Sequence, residues 1–417
     1  MRVLRRRGES GEYVEKLLEN ELAKRSLNPL DRGLCQELVY GIVRWQSTLD
    51  WLVARKTGDR PQNAMLRLLL HLGLYQLFWL QRIPNHAAVH ETVELGKKLG
   101  FGQQAGFLNA VLRGYTRARD ATVLELENLK RTDPALGYSH PAWLVERWQA
   151  RWGSDKTTQL LQWNNTPPPL YARLNVLKTD FTALSAAWQQ EGVDFVERQW
   201  DWTGRNLVFE LKSHPPLPQC QSFQRGFFYV QDPGTLLAVN ELDAQPGENI
   251  LDLCAAPGGK TTYIAQRMQN QGRIAALDKQ PDRLNLVREN CARLGVTCVE
   301  FPDSNPGAPF DRILVDAPCS NTGVLRRRVD LRWRIKPGEI ERLRQTQQTL
   351  LEQAASQLKP GGTLVYSTCS LEPEENESVS RDFLKAHTDF KLERERQLLP
   401  FAEGVDGAYA ARMRKSD

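Results

Sequence analysis

Five short apolar runs in the C-terminal part of the chain, NILDLCA at 249–255, RIAALD at 273–278, CVEF at 298–301, FDRILVDAP at 310–318 and GTLVYSTCS at 362–370, are separated by stretches with helical periodicity. Strands this apolar have no face suited to water, so they predict a parallel sheet covered by helices on both sides. Residues 233–417 are therefore expected to form a doubly wound, Rossmann-like α/β domain.

The rest of the chain follows other periods. Up to about Pro134, apolar residues recur every three or four positions in EYVEKLL, CQELVYGIVRWQSTLDWLV, AMLRLLLHLGLYQLFWL, HETVELGKKL and FLNAVLRGYTR, which predicts an all-α domain over 1–135. Asn85 is placed to cap the helix that begins at HAAVHETVEL. His86 and His90 lie four apart, but no Glu follows His86 as a zinc motif requires, so they read as packing or surface histidines. A helical connector is expected over 136–168, with Trp143, Trp148 and Trp152 on one face, ending at the proline run 167–169. Over 169–232, YARLNVL and LVFEL read as strands, FTALSAAWQQEG as a helix and FFYVQDPG as a strand entering a turn, giving a small α+β unit.

Several function classes drop out. The first residues turn charged too soon for a secretory signal, and the longest apolar stretch, 64–80, is broken by Arg67, His71 and Gln76. A cytoplasmic protein without membrane contact is expected. The seven cysteines include no CxxC pair, which fits a reducing compartment and argues against a disulfide framework or a metal site. A net charge of +5 on 417 residues is mild, so attraction to a polyanion must come from local clusters.

The turn after NILDLCA carries the first chemistry. Cys254, Ala255, Ala256, Pro257, Gly258, Gly259 and Lys260 lead from a strand into a helix, where glycines admit a ligand close to the backbone and the helix start offers free N–H groups. One strand later RIAALD ends on Asp278, suited to ribose hydroxyls. A phosphate loop would need a glycine where Cys254 stands, and PGG does not supply the GxGxxG of dinucleotide folds. S-adenosyl-L-methionine, an adenosine ligand without phosphate, is the cofactor that fits.

Cys319 and Cys369 each follow a predicted parallel strand at its C-terminal end, the edge where open α/β sheets bind ligands. Cys35, Cys220, Cys254, Cys291 and Cys298 keep the default reading of small buried hydrophobes. A thiol beside a methyl donor has a specific use, because thiolate addition to C6 of cytosine turns C5 into a nucleophile. Asp316 is placed to bond the cytosine edge, and Lys260 or a helix terminus to lower a thiol pKa. Spacing leaves open which cysteine attacks.

The blocks DLCAAPGGKT (252–261), DAPCSNTG (316–323) and YSTCSLEPEEN (366–376) together resemble the RNA cytosine-C5 methyltransferase family. GLYQL, RIPNHAAVHETVEL, FLNAVLR and YSHPAWLVERW extend the likeness to its bacterial 16S ribosomal RNA branch, whose helical N-terminal domain is similar to the antitermination factor NusB. The resemblance implies that Cys369 is the nucleophile, that Cys319 serves release, and that the cofactor lies on 254–260, Asp278, Asp303 and Asp316. It also implies RNA contact by Arg173, Asn175 and Lys178 of RLNVLK.

Immediately after DAPCSNTG, Arg326, Arg327, Arg328, Arg332, Arg334 and Lys336 surround Trp333. Charge runs usually coat a solvated face. Beside a catalytic loop, guanidinium groups and an aromatic ring also suit phosphate contact and base stacking, so an RNA-binding role is expected here. The expected protein is a monomer that uses no metal and methylates a cytosine of 16S ribosomal RNA. The rivals are a transfer RNA cytosine methyltransferase on the same scaffold and a non-catalytic RNA-binding assembly factor; intact Cys319, Cys369, Lys260 and Asp316 oppose the latter.

Overall fold

The computed structural model describes residues 1–58, 60–302, 307 and 309–417. It separates into two compact units, one formed by Met1–Thr166 with Leu325–Arg334 and the other by Pro167–Val324 with Ile335–Asp417.

The first unit is helical, with the expected periodic segments forming Pro29–Arg44, Gln46–Thr57, Ala64–Trp79, Asn85–Lys98 and Ala105–Arg117 among others. Their apolar faces, with Leu49, Leu52, Leu69, Leu70, Leu74, Leu108 and Leu112 fully buried, build one core. Pro84 occupies the N-cap of Asn85–Lys98, so Asn85 is the first helical residue and not the expected cap. The connector is the helix Ala142–Asn165, broken at Gly153 by a φ of 79°, and it packs with this unit. The decapeptide Leu325–Arg334 also belongs here, although sequence places it inside the expected 233–417 domain. Val329 is buried in the helical core, and Trp333 packs against it.

The second unit holds two sheets. The small one runs β2 (Asp194–Arg198), β3 (Val208–Ser213), β1 (Leu170–Leu174), β4 (Phe228–Val230), all antiparallel. Its helix Phe181–Glu191 drives Trp188 into a cage of Phe195, Phe209 and Phe228, where offset and edge contacts suit the ring quadrupoles.

The large sheet has the order β10-β11-β9-β8-β5-β6-β7, with β5 (Asn249–Asp252), β6 (Arg273–Ala276), β7 (Val299–Glu300), β8 (Phe310–Asp316), β9 (Leu358–Thr368), β10 (Phe390–Leu398) and β11 (Ala408–Lys415). Strands β5 to β9 pair in parallel, and β11 runs antiparallel to both β9 and β10. Side chains alternate between two cores as a pleat requires: Ile250, Ile274, Leu314 and Val365 pack on one face and Leu251, Ala275, Ile313 and Leu364 on the other. This is the Rossmann-like architecture that the apolar runs predict, and it brings the C-terminal ends of β5, β6, β8 and β9 to one edge.

Candidate active site

At that edge β5 passes through 253–258 into the helix Gly259–Arg267. Gly258 has a φ of 100°, a region costly for residues with a Cβ, and an added Cβ would sit 3.0 Å from Val287. Asp278, just past β6, holds the loop: one carboxylate oxygen accepts the Ala256 N–H at 3.2 Å and the other the Gln280 N–H at 3.0 Å. Each oxygen keeps a lone pair, so the group can still accept from a ribose diol. A second polar atom lies behind the loop. Asp252 is fully buried, its Oδ2 accepts from Thr261 at 2.7 Å, and its Oδ1 has no hydrogen-bond partner among the described residues. Burial pushes this carboxyl up to about 7, helped by the Asp316 charge and opposed by the Thr261 bond. The loop, the Asp278 acceptors and the buried carboxylate fit an adenosyl cofactor. Asp303 lies outside the described residues.

Adjacent strands β8 and β9, paired Asp316 to Ser367, deliver the two cysteines. Their sulfurs lie 3.5 Å apart. Gly323 N–H donates to Cys369 O at 3.0 Å, and a Cβ on Gly323 would fall 2.7 Å from that oxygen, so only glycine permits the two loops to close. Cys319 is buried and Cys369 partly accessible. The hydrogen bond to Cys369, together with burial, holds the Cys319 thiol well above its ordinary value. Lys260 Nζ donates to Asp316 Oδ2 at 2.6 Å. Burial works against the Lys260 charge, but Asp316 outweighs it, and Cys369 adds to the same effect, so the ammonium pKa is raised. Burial, with Asp316, Asp252 and Asp278 adding to it, drives the thiol of Cys254, inside the loop, well above its ordinary value.

The residues expected to contact RNA divide between buried and exposed positions. Arg173 is buried, its guanidinium between the rings of Tyr229 and Tyr263, donating to Gly259 O at 2.8 Å, Thr262 Oγ1 at 3.1 Å and Gln231 Oε1. Burial lowers its pKa to about 10. Arg173 thus braces the start of the helix behind the cofactor loop. Asn175 is fully buried and donates to Gly226 O and Leu294 O, while exposed Lys178 donates to Arg225 O and Arg293 O. Arg173 and Asn175 are thus committed to the interior of the fold, while Lys178 keeps an exposed position.

The arginine run divides between buried and exposed positions. Arg326 is buried with its guanidinium 3.8 Å from the Trp163 ring. Arg332, fully buried, donates to Ser139 O, Asn164 O, Arg44 O and Asn165 Oδ1. Arg334 pairs with the buried carboxylate of Asp330, which also takes Arg7 at 2.6 Å. Arg327 is half-buried, and Arg328 and Lys336 are exposed.

Two groups that the motifs contain escaped the sequence reading. Asn321 adopts a left-handed φ of 57° and its Oδ1 lies 3.0 Å from Cys369 Sγ. Glu375 joins the two cysteine loops. A non-glycine residue held in the left-handed region is strain of the kind that gathers at functional sites. Neither signal is visible without coordinates.

Three family models match the chain: the 16S rRNA methyltransferase RsmB/F model over 239–414, the NusB family over 1–117, and the Methyltr_RsmF/B-like ferredoxin-like domain over 140–204. A curated relative from Synechocystis sp., a probable ribosomal RNA small subunit methyltransferase B, is 38% identical over 91% of this chain and 87% of its own. The ribosomal RNA small subunit methyltransferase B of Erwinia tasmaniensis is 36% identical over 98% of this chain and 95% of its own. Among solved structures, PH0851 superposes with a TM-score of 0.79 at 24% identity over 99% of this chain and 97% of its own, a likeness of fold. A methyltransferase homolog protein from Pyrococcus horikoshii reaches a TM-score of 0.60 at 31% identity over 68% of this chain and 98% of its own.

Proposed function

The chain belongs to the ribosomal RNA small subunit methyltransferase B family, and from that premise we propose that it methylates C5 of a cytosine in 16S ribosomal RNA through an adduct between Cys369 and C6. The observation that carries this reading is the pair of thiols 3.5 Å apart at the ends of adjacent strands, beside the Lys260–Asp316 ion pair. S-adenosyl-L-methionine, held by 254–260 and Asp278, supplies an electrophilic methyl group.

The chain's own residues do the rest. Cys369 adds as thiolate to C6, and the C5–C6 electron pair becomes available at C5 for the new carbon–carbon bond. Asp316, paired with Lys260 at 2.6 Å, accepts a hydrogen bond from the cytosine amino group and fixes the ring. After methylation a base removes the C5 proton, those electrons restore the double bond, and the C6–S bond breaks toward Cys369. Cys319, whose sulfur lies 3.5 Å from that of Cys369, donates its S–H to the departing sulfur. That places Cys319 on the release step.

Bisulfite sequencing of 16S ribosomal RNA from a strain lacking this chain tests the reading. One cytosine protected in the parent should become convertible and regain protection on complementation. An unchanged protection pattern overturns it.

A further inference from the structure

The serines that follow the two cysteines meet one carboxylate. Glu375, fully buried on the short turn Pro373–Glu375, accepts the Ser320 N–H at 2.8 Å, the Ser320 hydroxyl, the Ser370 hydroxyl at 2.5 Å and Gln347 Nε2 at 3.1 Å. The two serine hydroxyls are themselves 3.0 Å apart. Gln347, on the helix Pro337–Gln357, also donates to Pro318 O at 3.0 Å. Asn376 completes the set, donating to Ser370 O at 2.9 Å and accepting from Thr368 Oγ1.

Burying a carboxylate is costly unless its oxygens are hydrogen-bonded, and here both oxygens of Glu375 are. Its bonds reach the residue after each cysteine and neither sulfur. We infer that Glu375 is a positioning residue whose links to Ser320 and Ser370 form a brace fixing the separation of Cys319 and Cys369. The two loops come from different strands, and no covalent bond ties them. Chemistry that hands a leaving sulfur to a neighbouring S–H tolerates displacements of only about 0.5 Å, and the brace supplies that tolerance. Its catalytic consequence rests on the two-cysteine reading above.

The double variant Ser320→Ala, Ser370→Ala cuts both hydroxyl links to Glu375 Oε2 while leaving Oε1 bonded to the Ser320 N–H and Gln347; a thermal melt selects the temperature at which it is folded, and both readouts are taken there. The first readout needs no RNA. Phenylarsine oxide condenses with two adjacent thiols, forming two As–S bonds and releasing one water, and a true pair holds it against excess monothiol. The full-length protein should retain the arsenical, Cys319→Ala should not, and the double serine variant should hold it at least tenfold more weakly. Glu375→Gln, which preserves shape and can bond the same hydroxyls with donor and acceptor exchanged, should bind it like the parent. The second readout is turnover: kcat should fall at least tenfold with KM for the cofactor unchanged, and covalent protein–RNA complex should accumulate. A folded double variant with parental arsenical affinity overturns the brace. Weakened arsenical binding with undiminished methylation supports the brace and overturns the two-cysteine reading instead.

Discussion

The roles proposed for the two sulfurs, 3.5 Å apart, are attack for Cys369 and release for Cys319, so alanine at each position should stop the reaction at a different step. Cys369→Ala should form no adduct and no product while still binding cofactor and RNA. Cys319→Ala should methylate once and stall as a covalent complex, visible on a denaturing gel as a heavier band that ribonuclease shortens. The trapped band in Cys369→Ala would reverse the roles, and its absence from both variants would end the two-cysteine reading. Asp252 gives a second prediction at this scale. Burial raises its carboxyl to about 7 from the ordinary 3.8, so between those values the folded state binds more protons than the unfolded one. Stability contributed by the neutral form is complete below 3.8 and is lost as pH rises through about 7. Asp252→Asn cannot ionise, so it should gain on the parent by about 3 kcal/mol between pH 4 and pH 8, since each tenfold difference in proton affinity is worth roughly 1.4 kcal/mol and the buried charge relaxes in part. Urea melts across that range check it, and parallel curves would refute it.

Among the elements, those with a plain period were legible in the sequence. The runs at 249–255, 273–278, 310–318 and 362–370 became β5, β6, β8 and β9, because strands buried on both faces leave no other use for such residues. Strand β10 escaped notice. Lys391, Glu393, Arg394, Glu395 and Arg396 hide it, since an edge strand has a solvated flank and charge there discourages pairing with another chain. The burial of Arg326 and Arg332 is hidden in the sequence for a different reason. Their local sequence is that of a solvated face, while the acceptors awaiting Arg332, the carbonyls of Arg44, Ser139 and Asn164, lie far upstream in the chain. Arg332→Ala should therefore cost on the order of 3 kcal/mol, because hydrogen bonds from a charged donor contribute about 1.5–3 kcal/mol and the abandoned carbonyls stay buried. Arg328→Ala, at an exposed position, should change stability by less than about 0.5 kcal/mol. Equal melting temperatures for the two variants would contradict the buried placement.

At the scale of the molecule, sequence order and structural units disagree at one place, and that place is testable. Residues 325–334 lie among the catalytic motifs in sequence, yet they complete the helical unit: Val329 fills its core, Arg326 covers Trp163, Trp333 Nε1 donates to Val43 O at 2.7 Å, and Asp330 binds Arg7 and the Val14 N–H. A fragment ending at Thr166 lacks all of these. It would leave the Ser139 and Asn164 carbonyls without the Arg332 guanidinium and open apolar surface where Val329 sits, so it should melt at lower temperature than the same fragment supplied with the missing segment. A synthetic peptide LRRRVDLRWR added in trans should raise the melting temperature in a concentration-dependent way, since a ligand bound only by the folded state stabilises it by RT ln(1 + [L]/Kd), about 2.7 kcal/mol at a hundredfold excess over Kd. A peptide with Arg332 and Val329 replaced by Ala should do so far less. If both peptides shift the melt equally, charge alone is acting and the decapeptide is not part of the helical fold; if neither does, the unit is complete at Thr166.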